Sequence, residues 1–452
     1  MKYISNNKAI AIYWIINIIF FLVLLGASFF YRATPSLVIG TIFYFAIVLL
    51  PLALTNFNWV HPLTFQVIYE IPKVFTLATR AVGYAPLSYR WLVPVSQEQC
   101  IDSYLKCVIF TCIGLLIEYY IIFNSKNRAR NNYCIQLGKS NIPAFYMLFA
   151  VICFFSLMNS LGGIAYVLLN FQDRLTEFSS DTSIYLRYSI SFGMIAVYYY
   201  YLMGKKNAFI TCALIQVIIY VCMGERGGII SQLVFPLFVA YQLKNGRMMS
   251  LKKLSIASIF LVLFYEVFGF IRDYDVEVTA GNMVSNLVDT FAYEPHFIIS
   301  SELIYLIDSE QVDYTFGSPL LNIFFAPFPR SLFPWKPKFI GDSALVGSII
   351  LGRDTDVYGL PPSNFSWGYL NFGFIGVVLF SIISALAMKW LYVSFVSRYL
   401  KGGRTVPTGN ILIYIILVGG MYAIMSTEMQ IKLIFMSVGV FTLLFFAKKR
   451  IR

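Results

Sequence analysis

Within residues 289–297, "DTFAYEPHF", two carboxylates and one of the chain's two histidines stand close enough to share a site. Asp289, Glu294 and His296 can each take a proton from a hydroxyl, the task of a general base. A histidine serves packing more often than catalysis, so the base stays open among the three. A second group is cationic: Arg272, Arg330, Lys336, Lys338 and Arg353, the middle three within "APFPRSLFPWKPKF" (326–339). Arg offers phosphate oxygens a planar fork and Lys a mobile point charge. Four prolines restrict the backbone between them and lower the entropy lost when an anion is clamped. These cations have a plainer reading as partners of acids in the same region or of lipid headgroups.

Arg226, in "MGERGGIIS" (223–231), is flanked by glycines that let a backbone turn tightly or approach a ligand. A solvated polar turn with Glu225 explains it equally well. "RDYD" (272–275) and "RDTD" (353–356) carry paired aspartates of the kind that hold a divalent ion in many sugar-transferring enzymes. The pattern is short and common by chance, and we assign no metal. No Walker sequence or Rossmann fingerprint is present, so no nucleotide cofactor is expected. In "PPSNFSWGYLNFGFIG" (361–376), Trp367 and Tyr369 read as interface anchors of a segment re-entering the bilayer, and Ser363 and Asn371 as donors for sugar hydroxyls.

The elements that position these residues follow from composition. The 452 residues are 59% hydrophobic and 12% charged, with mean hydropathy +0.72, which excludes a soluble domain of this size and points to an all-α polytopic membrane protein. The net charge of +12 is read as topological, with no nucleic-acid partner. The seven cysteines form no CxxC pair and indicate neither a disulfide framework nor a zinc site. Apolar runs of spanning length occur at 9–30, 36–56, 105–123, 142–168, 184–203, 208–223, 228–243, 254–271, 366–393, 410–426 and 431–447, the first read as a retained signal anchor.

The stretch 62–84 is ambiguous, because Glu70, Lys73 and Arg80 interrupt it. Counting it as a span puts the basic clusters Lys126–Lys139, Lys205–Lys206, Lys244–Lys253, Arg398–Arg404 and Lys448–Arg452 on the cytoplasmic side. The expectation is about twelve spans with both termini cytoplasmic. An N-terminal bundle (1–271) and a C-terminal bundle (366–452) then flank one large extracytoplasmic loop (272–365). In that loop "ELIYLI", "LLNIFF" and "ALVGSIIL" are expected to form short helices packed on the bilayer surface.

"HPLTF" (61–65), "GGIAYVLLNFQDR" (162–174), "GERGG" (224–228), "APFPRSLFPWKP" (326–337) and "YLNFGFIG" (369–376), spread over residues 60–440, together resemble the Wzy-type O-antigen polymerases. The resemblance implies a GT-C-like glycosyltransferase of the bacterial inner membrane. Such an enzyme joins undecaprenyl-pyrophosphate-linked oligosaccharide repeat units at the periplasmic face, needs no cofactor, and can work beside a chain-length regulator protein. Arg226, Arg272, Arg330, Lys336, Lys338 and Arg353, with Tyr369 and Asn371, would hold the lipid pyrophosphate and its sugars, and one of the three base candidates would deprotonate the acceptor. One departure stands out: Ser366 and Trp367 occupy positions where similar sequences have Gly-Glu, so an acid must come from elsewhere or be dispensable. An O-antigen ligase would share this design. A lipid-oligosaccharide flippase would place ionisable residues inside the bundle, whereas the sequence reading concentrates them in the outer loop.

Overall fold

The computed structural model describes residues 6–88, 91–124, 134–160, 162–163, 189–223, 229–246, 294–325, 341–352, 360, 362–401, 405–422, 425 and 427–447. The first half of the chain supplies α1 (Asn6–Phe30), α2 (Pro35–Leu54), α3 (Pro62–Ala81), α4 (Gln97–Asn124), α5 (Ile142–Ser160), α6 (Phe192–Leu202), α7 (Lys206–Met223) and α8 (Phe235–Asn245). The second half supplies α9 (Pro295–Asp308), α10 (Ser318–Phe325), α11 (Asp342–Leu351), α12 (Asn364–Tyr392), α13 (Thr408–Tyr422) and α14 (Thr427–Ala447). Among the described residues six stretches, in α1, α2, α4, α5, α7 and the run Asn364–Leu400, are long and apolar enough to cross a bilayer. Their outer faces leave large side chains such as Trp14, Ile18, Phe155, Leu214 and Ile375 uncovered, which suits a lipid solvent.

The ambiguous stretch is a complete helix. Pro62 begins α3, where a missing N–H is harmless, and His61 caps it, its Nδ1 accepting the Leu63 N–H at 3.4 Å. The His61 ring packs 5.5 Å from Phe123 and 4.9 Å from Tyr392, so this histidine is structural. Thr34 donates its N–H to the Ala81 carbonyl at 2.8 Å, tying the start of α2 to the end of α3 and making the two antiparallel neighbours. All three interrupting charges of α3 are buried.

Two large apolar cores, with two smaller clusters, form among the described residues. One unites α2, α3 and α4 with α9, α11 and α12 around Tyr44, Tyr104, Phe297, Phe365 and Phe380. The other unites α6, α8, α13 and α14 around Tyr199, Ile413 and Tyr414. The three apolar segments expected between residues 272 and 365 do form helices, α9, α10 and α11. Contrary to expectation, α9 is not laid on a bilayer surface but is buried along most of its length within the first core. Apolar side chains all round a helix demand apolar neighbours all round it, and Phe297, Ile298, Ile299, Leu303 and Ile304 find them in protein.

The run 366–393 is likewise not one straight span. Phe372 (φ −145°, ψ 24°) and Gly373 (φ 61°, ψ −150°) break α12, and the chain doubles back on itself. Eight residues apart on a straight helix means about 12 Å. Here the Gly368 and Gly376 backbones touch: a Cβ on Gly368 would stand 2.7 Å from the Gly376 carbonyl oxygen. Asn364 Nδ2 reaches Ser384 Oγ at 3.3 Å, so residues 364–371 form a short arm antiparallel to the long arm from Phe374 onward. Gly373 supplies the left-handed conformation that the reversal needs.

Gly376→Ala is expected to wedge this hairpin open and cost about 1–3 kcal/mol of stability. Gly26→Ala, where nothing lies within 4 Å of the added methyl, serves as the neutral comparison. Thermal unfolding of both variants in detergent would check this; equal midpoints would mean that the two arms are not in contact.

Candidate functional site

The start of α9 is built by local chemistry. Pro295 presets the first helical φ, and the Glu294 carboxylate accepts the Phe297 N–H at 2.8 Å as the N-cap. Glu294 also donates its own backbone N–H to Thr76 Oγ1 of α3 at 2.8 Å, which moors the helix start to the bundle. Phe297 then stacks 5.6 Å from Tyr104 and 6.4 Å from Tyr44. At the other end, Asp308 accepts from Lys106 at 2.7 Å and from the Tyr369 hydroxyl at 2.6 Å. Residues 297 and 308 lie about 16 Å apart along α9, yet both meet α4 at 104–106, so α9 crosses α4 steeply.

Beside this helix start lies the beginning of the short arm of α12. Ser363 caps it by accepting the Ser366 N–H, and Ser300 Oγ of α9 receives the Ser363 N–H at 2.9 Å and bonds Ser366 Oγ at 2.8 Å. His296 sits at this junction, half-buried, with Nδ1 3.4 Å from the Pro362 carbonyl oxygen. With Nδ1 carrying the proton toward that carbonyl, Nε2 is left as the basic nitrogen. Among the described residues it has no partner.

Below the junction runs a buried polar line on α3. Lys73 pairs with Glu70 at 2.7 Å, and Glu70 accepts the Tyr44 hydroxyl at 2.6 Å. Arg80 donates Nε to Tyr104 at 3.0 Å and Nη1 to the Thr76 carbonyl at 3.0 Å, while Gln66 meets Glu118 of α4. Lys73 also feels the charge of Glu294. Cations (Lys73, Arg80) and carboxylates (Glu70, Glu294) thus alternate along this buried line, linked through Thr76.

Of the residues singled out in the sequence, Glu294 and His296 are brought together at this junction. Glu294 is engaged as a cap, which leaves His296 better placed for proton transfer. Tyr369 and Trp367 are not interface anchors. Both are buried, the first on Asp308 and the second donating Nε1 to the Met425 carbonyl at 3.1 Å, because the hairpin turns them inward. Asn371 is buried too: its amide donates to the Trp367 carbonyl at 2.8 Å and accepts the Thr315 hydroxyl at 2.9 Å, so it holds the hairpin tip rather than a sugar. Asp289, Arg226, Arg272, Arg330, Lys336, Lys338 and Arg353, and both paired-aspartate strings, lie outside the described residues. Among the described residues no group of three His, Cys, Asp or Glu side chains could hold a metal ion.

The α3 line was missed as a site because its charges were read only as interruptions of hydropathy. Its signal was the spacing: Gln66, Glu70, Lys73 and Arg80 follow steps of four, three and seven, one face of a helix. Glu70, Lys73, Arg80 and Glu118 thus place ionisable groups inside the bundle, contrary to the expectation that such groups concentrate between residues 272 and 365. No family model matches the chain, and neither a curated protein nor a solved structure does.

Glu302, on the buried side of α9, accepts the backbone N–H groups of Leu92 and Val93. Burial nonetheless pushes its carboxyl up from about 4.5 to about 7. A raised carboxyl favours the folded state while it is protonated, so this contribution is full below about 4.5 and is lost as pH rises through about 7. Glu302→Gln keeps an acceptor for Leu92 and removes the ionisation. The thermal midpoint of the variant is expected to gain on the wild type as pH is raised from 4.5 to 7.5; parallel midpoint curves would rule out this coupling.

Proposed function

We propose that this chain is an O-antigen polymerase. In this reading it is a GT-C-like membrane glycosyltransferase that joins undecaprenyl-pyrophosphate-linked repeat units at the periplasmic face of the bacterial inner membrane. In this reading there are about twelve spans with both termini cytoplasmic, and α9–α11 and the short arm of α12 are on the periplasmic side. A chain-length regulator is a partner compatible with this role. The observation that carries the reading is His296, half-buried at the meeting of two helix starts, with one ring nitrogen on a carbonyl and the other unoccupied among the described residues.

In the reaction the acceptor sugar's hydroxyl oxygen attacks the anomeric carbon of the donor. The bond from that carbon to the pyrophosphate oxygen breaks, and undecaprenyl pyrophosphate leaves with the electron pair. His296 Nε2 takes the hydroxyl proton. The negative charge that develops on the leaving group would be met by Arg226, Arg272, Arg330, Lys336, Lys338 and Arg353. A ligase would use the same groups with a different acceptor. The buried line Glu70, Lys73, Arg80 and Glu118 favours a second reading, a lipid-linked oligosaccharide flippase.

One reconstitution separates the three. Purified protein given an undecaprenyl-pyrophosphate repeat unit, without added metal, is expected to build a ladder on a gel. His296→Ala should slow the ladder by about 100-fold or more, the usual worth of a general base, and Arg330→Ala should abolish it. Transfer only onto a lipopolysaccharide core acceptor would identify a ligase. Movement of intact lipid-linked substrate across vesicles, without new glycosidic bonds, would identify a flippase.

A further inference from the structure

Between α9 and α10 the chain makes a short exposed turn, residues 309–317, whose backbone is strained at two non-glycine positions: Glu310 at φ 57° and Phe316 at φ 48°. A bulky residue with positive φ is an outlier that the surroundings must enforce. Here the enforcement is visible. Gln311 and Val312 donate their N–H groups to the Leu306 carbonyl at 3.0 and 3.2 Å. Thr315 donates its N–H to the Leu370 carbonyl at 3.0 Å and its hydroxyl to Asn371 at 2.9 Å, which clamps the turn onto the tip of the α12 hairpin. Gly317 (φ 78°) lies against the Phe372 ring, where a Cβ would come within 2.6 Å.

This rigid turn displays aromatic surface instead of hiding it. The Phe316 side chain is 75% exposed and Tyr314 is 37% exposed, with ring centroids 6.2 Å apart and planes at 71°. Tyr314 in turn stands edge-on to Tyr369 at 6.0 Å. Leaving such a ring uncovered forgoes about 1.5–3 kcal/mol of burial, on top of the strained φ.

The charges nearby indicate what covers it. Glu310 and Asp313 are exposed, and among the described residues neither has a cation partner. Both oxygens of Asp308 are already taken by Tyr369 and Lys106. The turn carries no Lys or Arg. Segments held on anionic lipid by charge carry Lys and Arg, and an acidic turn has no such attraction. Aromatic faces flanked by carboxylate acceptors suit a pyranose, whose C–H face lies on a ring while its hydroxyls donate to carboxylates.

We infer that the 309–317 turn is an oligosaccharide subsite, with Phe316 and Tyr314 as the stacking platform and Glu310 and Asp313 as hydroxyl acceptors. The ligand is the glycan portion of a substrate or product, neutral or cationic in charge. This subsite rests on the reading that the chain handles lipid-linked glycans, and it serves a polymerase, a ligase or a flippase alike.

The test uses the full chain in nanodiscs, probed against an array of lipid-free bacterial surface oligosaccharides. Wild type and Phe316→Trp are expected to retain a common glycan, and Phe316→Ala to bind it tenfold or more weakly. The emission that F316W gains over wild type is expected to be quenched by aqueous acrylamide and not by brominated lipids. Retention of no glycan by the wild type, equal binding by Phe316→Ala, or quenching by brominated lipid would each overturn the subsite, the last marking a membrane anchor. Because binding is read without turnover, a missing ladder with intact glycan retention would reject the polymerase alone.

Discussion

The Glu70–Lys73 pair inside an apolar bundle constrains everything around it. Neither charge can face lipid, so the helix that carries them must be walled by protein on its polar face. The α3 helix is therefore flanked by α2 and α4, with Tyr44 donating to Glu70 and Tyr104 accepting from Arg80. The remaining side is closed by α9, whose Glu294 meets Thr76 and lies within electrostatic reach of Lys73. A helix from the long loop thus becomes part of the bundle core. The reason is electrostatic as much as hydrophobic: α3 needs neighbours that bring hydrogen-bond partners as well as apolar surface.

The two helix starts at this place raise a second accounting problem. The first turn of every helix leaves backbone N–H groups without intrahelical partners, and in a low-dielectric setting each must be met. Glu294 and Ser363 each cap their own helix, and Ser300 links one start to the other. Polar groups are already gathered there, and a ring such as His296 can sit between protein and opening without stranding a buried charge.

The hairpin in α12 connects this inner site to the outer turn. Its short arm starts beside His296 and its tip holds the 309–317 turn through Leu370 and Asn371. Tyr369, on the same arm, ties down the end of α9 through Asp308. One eight-residue arm therefore sets the spacing between His296 and the Tyr314–Phe316 ring pair, and a shift of that arm would move both together.

Composition and periodicity alone determined that the chain is helical, with runs long and apolar enough to cross a bilayer. Long apolar runs leave no other way to satisfy backbone hydrogen bonds in lipid. They also located the short helices at 302–307, 320–325 and 344–351, and the pairing of Glu294 with His296 in one neighbourhood, because residues two apart cannot be separated by any fold. What periodicity could not show was direction and partnership. The reversal at Gly373 looks like any glycine in an apolar helix until Gly368 and Gly376 are found in contact. Asn371 and Tyr369 look free until Thr315 and Asp308, more than fifty residues away in sequence, are seen to occupy them. Only the tertiary structure decided which polar groups are consumed by the fold and which remain for a ligand, because hydrogen-bond capacity is spent on whichever partners packing brings within reach.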